Sequence, residues 1–105
     1  MDLSEVKQRL YQDEFKVYLE ELLDQNLIED ERAKGIANFI MDNGLKQLTD
    51  KQWYVFLKHG VGEINYVEEC ERCAMEIPWV EMLGAVYIYE DDLCGYCRHK
   101  IEKGE

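Results

Sequence analysis

Apolar residues recur through the first sixty positions at the three-and-four spacing of helices, then give way to denser apolar and aromatic runs bracketed by cysteine pairs. Leu3, Val6, Leu10, Val17 and Leu22 approximate one helical face, which Phe15, Tyr18, Leu19 and Leu23 widen. Asp2, with Glu5 three positions on, is a variant of the capping box and starts this first predicted helix. A second helix is predicted from about Glu29 to Asp42, with Ala33, Ile36, Ala37 and Ile40 inward and Asn43-Gly44 as a left-handed stop. The third has the best local signal: Thr49-Asp50-Lys51-Gln52 is a capping box, Leu48 before it can staple to Trp53, and Gly60 is expected to end the run. Helices this short are marginal alone, so the consecutive apolar residues Trp53 to Leu57 must be buried against the rest of the protein.

Gly60-Val61-Gly62 marks a change of character. Beyond it, Ala74 to Ile77 and Ala85 to Tyr89 have β-compatible composition, and Met82-Leu83-Gly84 between them reads as a turn, predicting a hairpin. Arg98 to Lys103 can form a final short helix. The expected class is α+β: a three-helix unit over residues 1–60, then a zinc ribbon or treble clef over residues 61–105, built as knuckle, hairpin, knuckle and helix.

The knuckles carry the chemistry. Cys70-Glu-Arg-Cys73 and Cys94-Gly-Tyr-Cys97 are two Cys-x-x-Cys pairs separated by 20 residues, the upper end of the spacing for a four-cysteine zinc site. Two thiolates three positions apart on a tight turn can both reach one ion at about 2.3 Å, and two such turns complete a tetrahedron. Cys70, Cys73, Cys94 and Cys97 are therefore the candidate ligands of one structural Zn²⁺, with a rubredoxin-like iron site as the lesser alternative. Structural disulfides do not suit a reducing compartment, a thioredoxin-type site needs a βαβ context, and c-type haem needs a histidine directly after the pair.

The run Cys70-x-x-Cys73-x-x-x-Ile77-Pro78, followed by Cys94-x-x-Cys97 and a short helix, resembles the four-cysteine zinc finger of the DksA/TraR group, bacterial and phage or plasmid proteins that bind RNA polymerase. The match covers about 30 of the 105 residues and departs from the group's pattern in Ala74, where a glycine is usual, in Glu81, near where an arginine is common, and in a longer gap between the pairs. The first 60 residues show no acidic tip on a long coiled coil. The resemblance implies a shared kind of zinc module, and, as an alternative function, a regulator contacting RNA polymerase or nucleic acid.

Charge narrows the partners. The chain has 12 Lys and Arg against 23 Asp and Glu, a net charge of −11, and residues 61–105 hold 4 of the bases and 11 of the acids. Such a field repels phosphate backbones, so direct nucleic-acid binding is disfavoured, while a basic protein partner, or imitation of nucleic acid as an acidic decoy or inhibitor of a nucleic-acid enzyme, fits. No apolar run is long enough to span a membrane and the N-terminus does not read as a signal peptide, so a cytoplasmic protein is expected. Catalysis is not expected. Ser4 and Thr49 are the sole hydroxyls of their types, His59 and His99 fit a helix end and an exposed first turn, and neither cysteine pair follows the proline that a zinc deaminase requires. The expectation is a zinc-binding protein-interaction or regulatory module. Its candidate partner-binding residues are Trp79, Met82, Tyr87 and Tyr89, with Arg98 and Lys100 as the one locally basic element.

Overall fold

The computed structural model of the chain describes residues 3–62 and 64–104. Helices α1 (Leu3–Arg9), α2 (Phe15–Asp24), α3 (Glu31–Asn43), α4 (Asp50–Val55), α5 (Trp79–Leu83) and α6 (Gly95–Glu102) follow in order, and α4 and α5 each continue as a π-helical stretch, Phe56–Gly62 and Gly84–Ile88. There is no strand among the described residues. No helix among them is long and apolar enough to cross a membrane.

The expected α+β class and its zinc ribbon or treble clef are therefore corrected to an all-helical fold. Ala74 to Ile77 forms no strand, its first residue lying in the left-handed region at φ 60, and the predicted turn Met82-Leu83-Gly84 lies inside a helix. Pro78 explains the switch: it occupies the N-cap of α5 with ψ 146, where a missing N–H costs no helical bond. After it, Trp79, Met82, Leu83 and Val86 repeat at three-and-four spacing and turn one face inward, the first three being buried and Val86 packing against the core. Burying that stripe outweighs the β-branched and aromatic composition of Ala85 to Tyr89.

The first predicted helix is broken in two. Arg9 ends α1, and its carbonyl accepts both the Gln12 N–H and the indole N–H of Trp79, each at 3.0 Å. The chain tightens through residues 10–14 and restarts at Phe15, so the helical phase resets. Val6, Leu10 and Leu22 stay buried, but Val17 turns out to solvent at 53% exposure. The proposed cap at Asp2 lies outside the described residues, as does the side chain of Leu3.

The other two helical expectations fare better. In α3 the Asp30 carboxylate accepts the N–H groups of Arg32 and Ala33, Ala33, Ile36, Ala37 and Ile40 are buried, and Gly44 at φ 83 ends the helix. The Thr49/Gln52 capping box of α4 is formed, with Trp53, Val55, Phe56 and Leu57 buried and Tyr54 exposed. Gly60 does not stop this helix. A Cβ there would lie 2.8 Å from the Phe56 ring, so glycine is what lets that ring fold back along the π-helical stretch.

One hydrophobic cluster runs through both the residues before 60 and those after it. Trp79, 1% exposed, is its hub: Phe15 meets it edge-on at 4.9 Å, Tyr18 stacks at 5.6 Å, Tyr66 tilts against it at 5.5 Å, and the Arg9 guanidinium sits over its face at 4.6 Å. Five residues separate Trp79 from Cys73, so this packing of α5 against α2 anchors the first knuckle to the helical body.

Candidate metal centre

The first knuckle is closed by its own backbone. Cys70 N–H donates to the Met75 carbonyl at 2.8 Å and Ala74 N–H to the Cys70 carbonyl at 2.9 Å, which forces Ala74 to φ 60. Past the turn the chain is held by Arg9, whose guanidinium donates to the Ile77 carbonyl at 2.7 Å and to the Tyr66 hydroxyl at 3.0 Å while Glu76 lies 3.4 Å from Nε.

The second knuckle opens α6. Cys94 is the extended N-cap residue and its carbonyl accepts the Arg98 N–H, while the Gly95 N–H donates to the Glu81 carboxylate at 2.5 Å, pinning the turn to α5. Two bonds tie the knuckles to each other: Glu71 N–H to the Asp92 carbonyl at 3.1 Å, and Arg72 to the Cys97 carbonyl at 3.3 Å.

These restraints bring one sulfur from each of Cys70, Cys73, Cys94 and Cys97 within 4.8 Å of one another, with the Cys73 and Cys94 sulfurs 3.9 Å apart. Tetrahedral coordination at a metal–sulfur distance of about 2.3 Å requires sulfurs about 3.8 Å apart, so the cluster needs only a small contraction to hold one ion. Cys70, Cys94 and Cys97 are buried and Cys73 is exposed. Burial works against the Cys70 thiolate, but N–H groups of Cys73, Cys94 and Arg72 aimed at the sulfur outweigh it and bring its pKa to about 6. Burial raises Cys94, and burial together with the neighbouring sulfurs pushes Cys97 up to about 12. Ionised together, four thiolates this close need a cation between them, so the cluster could hold a metal ion.

The candidate partner-binding residues do not form one surface. Trp79 and Met82 are core residues, and Tyr87 is half-buried with its hydroxyl on the Asn65 side-chain oxygen. Tyr89 is exposed but lies beneath Arg98 at 4.0 Å. Arg98 makes two bonds of 2.8 Å to Asp91 and a third to the Leu93 carbonyl; Asp91 is held below the usual carboxylate range mainly by that pair. Lys100 sits 5.0 Å from the Tyr96 ring centroid. Neither His59 nor His99 joins the cysteine cluster.

Sequence reasoning missed the residues that hold the knuckles in place. Arg9, Arg72 and Glu81 carry no motif; the one available signal was an arginine on an otherwise apolar helical face, at a position that turns out 6% exposed. Compared with protein families, curated proteins and solved structures, the chain matches none, so the DksA/TraR resemblance gains no family support beyond the cysteine cluster itself.

Proposed function

We propose that the chain is a zinc-clamped, non-catalytic module whose work is to bind another protein. The observation that carries this reading is the convergence of Cys70, Cys73, Cys94 and Cys97 within 4.8 Å from two hydrogen-bonded turns. Four thiolates are the donor set of structural Zn²⁺, and with sulfur filling every position none is left for water or substrate. Bound there, zinc supplies folding energy to a segment that has little apolar interior of its own.

Binding is the reading for the surface around the clamp. Of the ten large hydrophobics exposed among the described residues, six lie between residues 75 and 101: Met75, Val80, Ile88, Tyr89, Tyr96 and Ile101. Side chains of this size in solvent, two of which (Met75 and Tyr96) line the concavity beside Cys73 and Cys94, suit a protein interface. The excess of acids over bases in residues 61–105, 11 against 4, favours a basic partner, a nucleic-acid enzyme among them. Direct nucleic-acid binding draws less support, because the Arg98 charge is already committed to Asp91.

The test is metal content by elemental analysis of protein purified without added metal, with thermal unfolding before and after a strong chelator. One zinc per chain and a large loss of stability on its removal are expected. A folded, metal-free protein with four titratable thiols would overturn the reading.

A further inference from the structure

Three shallow concavities adjoin on one side of the molecule and share Glu76. The one beside the cysteine centre, about 400 Å³, is lined by Met75, Pro78 and Tyr96 together with Cys73 and Cys94. Met75 and Tyr96 are each 67% exposed, so this end offers apolar and aromatic surface to solvent. The other two lead away over Pro78 and Arg9 to α1 and the residues before α2, and their walls carry Glu5, Glu14 and Glu76.

The charge along this path is one-sided. Glu5 and Glu14 are exposed, and the Glu76 side chain is 64% exposed. Among the described residues Arg9 is the one cation in the lining, and it is buried, with its donors on the Ile77 carbonyl and the Tyr66 hydroxyl, its plane over Trp79 and its Nε 3.4 Å from Glu76, whose mostly exposed carboxylate keeps its outer side toward solvent. At the knuckle end Lys100 stands 5.0 Å from the Tyr96 ring centroid, so the face of that ring already attracts an ammonium group. An apolar anchor site continuous with a carboxylate-lined track selects for a ligand with both features.

We propose that this groove, from Tyr96 and Met75 at the knuckles to Glu5 and Glu14 at the N-terminal helices, is the docking face for a basic segment of a partner protein. An apolar side chain of the partner seats between Met75, Pro78 and Tyr96, and Lys or Arg side chains lie along Glu76, Glu14 and Glu5. The proposal rests on the zinc-clamped reading, because it needs both knuckles held in place.

The experiment uses the full zinc-loaded chain and a short fluorescein-labelled peptide of alternating Lys-Lys and Leu-Leu pairs, with a Glu-for-Lys version and a single-stranded oligonucleotide as counter-probes. Anisotropy should show binding of the Lys/Leu peptide that weakens on raising salt from about 50 to about 500 mM. Tyr96→Ala and the pair Glu5→Gln/Glu14→Gln should each reduce affinity by about tenfold, with unchanged circular dichroism, whereas Glu20→Gln/Glu31→Gln, which removes the same charge from exposed sites outside the groove, should not. Equal weakening by the remote pair, stronger binding of either counter-probe, or no peptide binding would overturn the groove. Zinc content measured on the same samples separates the two readings: one zinc per chain without groove-dependent binding removes the groove alone, and absence of zinc removes the clamp and the groove together.

Discussion

The indole N–H of Trp79 donates to the main-chain carbonyl of Arg9 at 3.0 Å, across 70 residues of sequence. The bond occurs where α1 stops, and the Arg9 side chain returns to the Ile77 carbonyl two residues before Trp79, so each end of the contact fixes the other. Trp79→Phe keeps an aromatic ring among Phe15, Tyr18 and Tyr66 but removes the donor and part of the volume. The Arg9 carbonyl retains the Gln12 N–H, so the expected cost is about 1–2 kcal/mol rather than that of an orphaned group. Chemical denaturation of the zinc-loaded protein checks this; a loss no larger than that of a surface substitution would show that the bond does not hold the fold.

Local signals in the sequence were reliable where the structure is decided locally. Asn43-Gly44 and the Thr49/Gln52 box act within one turn, and both do what their chemistry predicts. The cysteine spacing was equally legible, because Cys-x-x-Cys is itself a local geometry. What could not be read was set by distant contacts. The break after Arg9 depends on Trp79 and Ile77, and the exposure of Val17 follows from that break. The helix at Trp79 reads as a hairpin turn because the strand-like residues Ala85 to Tyr89 follow it, and the core against α2 is what decides for the helix.

Ala74 sits at φ 60, where an L-residue pays about 1–2 kcal/mol relative to its relaxed conformations. Glycine removes that strain but adds freedom to the unfolded chain, worth about 0.5–1 kcal/mol in the other direction. Ala74→Gly is therefore expected to stabilise the protein by about 0.5–1 kcal/mol, or by several degrees in Tm for a chain of this size. Calorimetry on the metal-loaded protein reads it, and a lower Tm would mean that the turn is not strained.

Tyr18 is fully buried and donates its hydroxyl to the Asn65 carbonyl at 2.5 Å. Burial, with smaller contributions from Tyr87 and Glu21, raises its pKa far above the ordinary value of 10.0. The folded state thus keeps the proton after the unfolded chain has lost it, so this contribution is intact below pH 10 and declines as pH rises beyond it. Tyr18→Phe should cost about 1–2 kcal/mol at neutral pH through the unpaired Asn65 carbonyl. Between about pH 10 and pH 11 the wild type should lose about 1 kcal/mol relative to the variant, because about half of the unfolded tyrosine is already ionised at pH 10. Denaturation curves for both proteins across that range provide the check, and a gap independent of pH would mean that Tyr18 ionises freely in the fold.

The four sulfurs differ in what surrounds them, and the difference predicts unequal responses to losing one. Cys97 is 3% exposed within α6, and Cys73 is exposed at the rim of the apolar concavity. At Cys73 a water molecule can enter and take the vacated position, as it does in three-ligand zinc sites. At Cys97 the replacement hydroxyl is shut in with three thiolates and no room for solvent to follow. Cys73→Ser should therefore retain close to one zinc per chain with weakened affinity, whereas Cys97→Ser should lose the metal and unfold the knuckles. Zinc stoichiometry after gel filtration, with competition against a chromophoric chelator, distinguishes the two; equal retention by both variants would mean that burial does not set the hierarchy of the ligands.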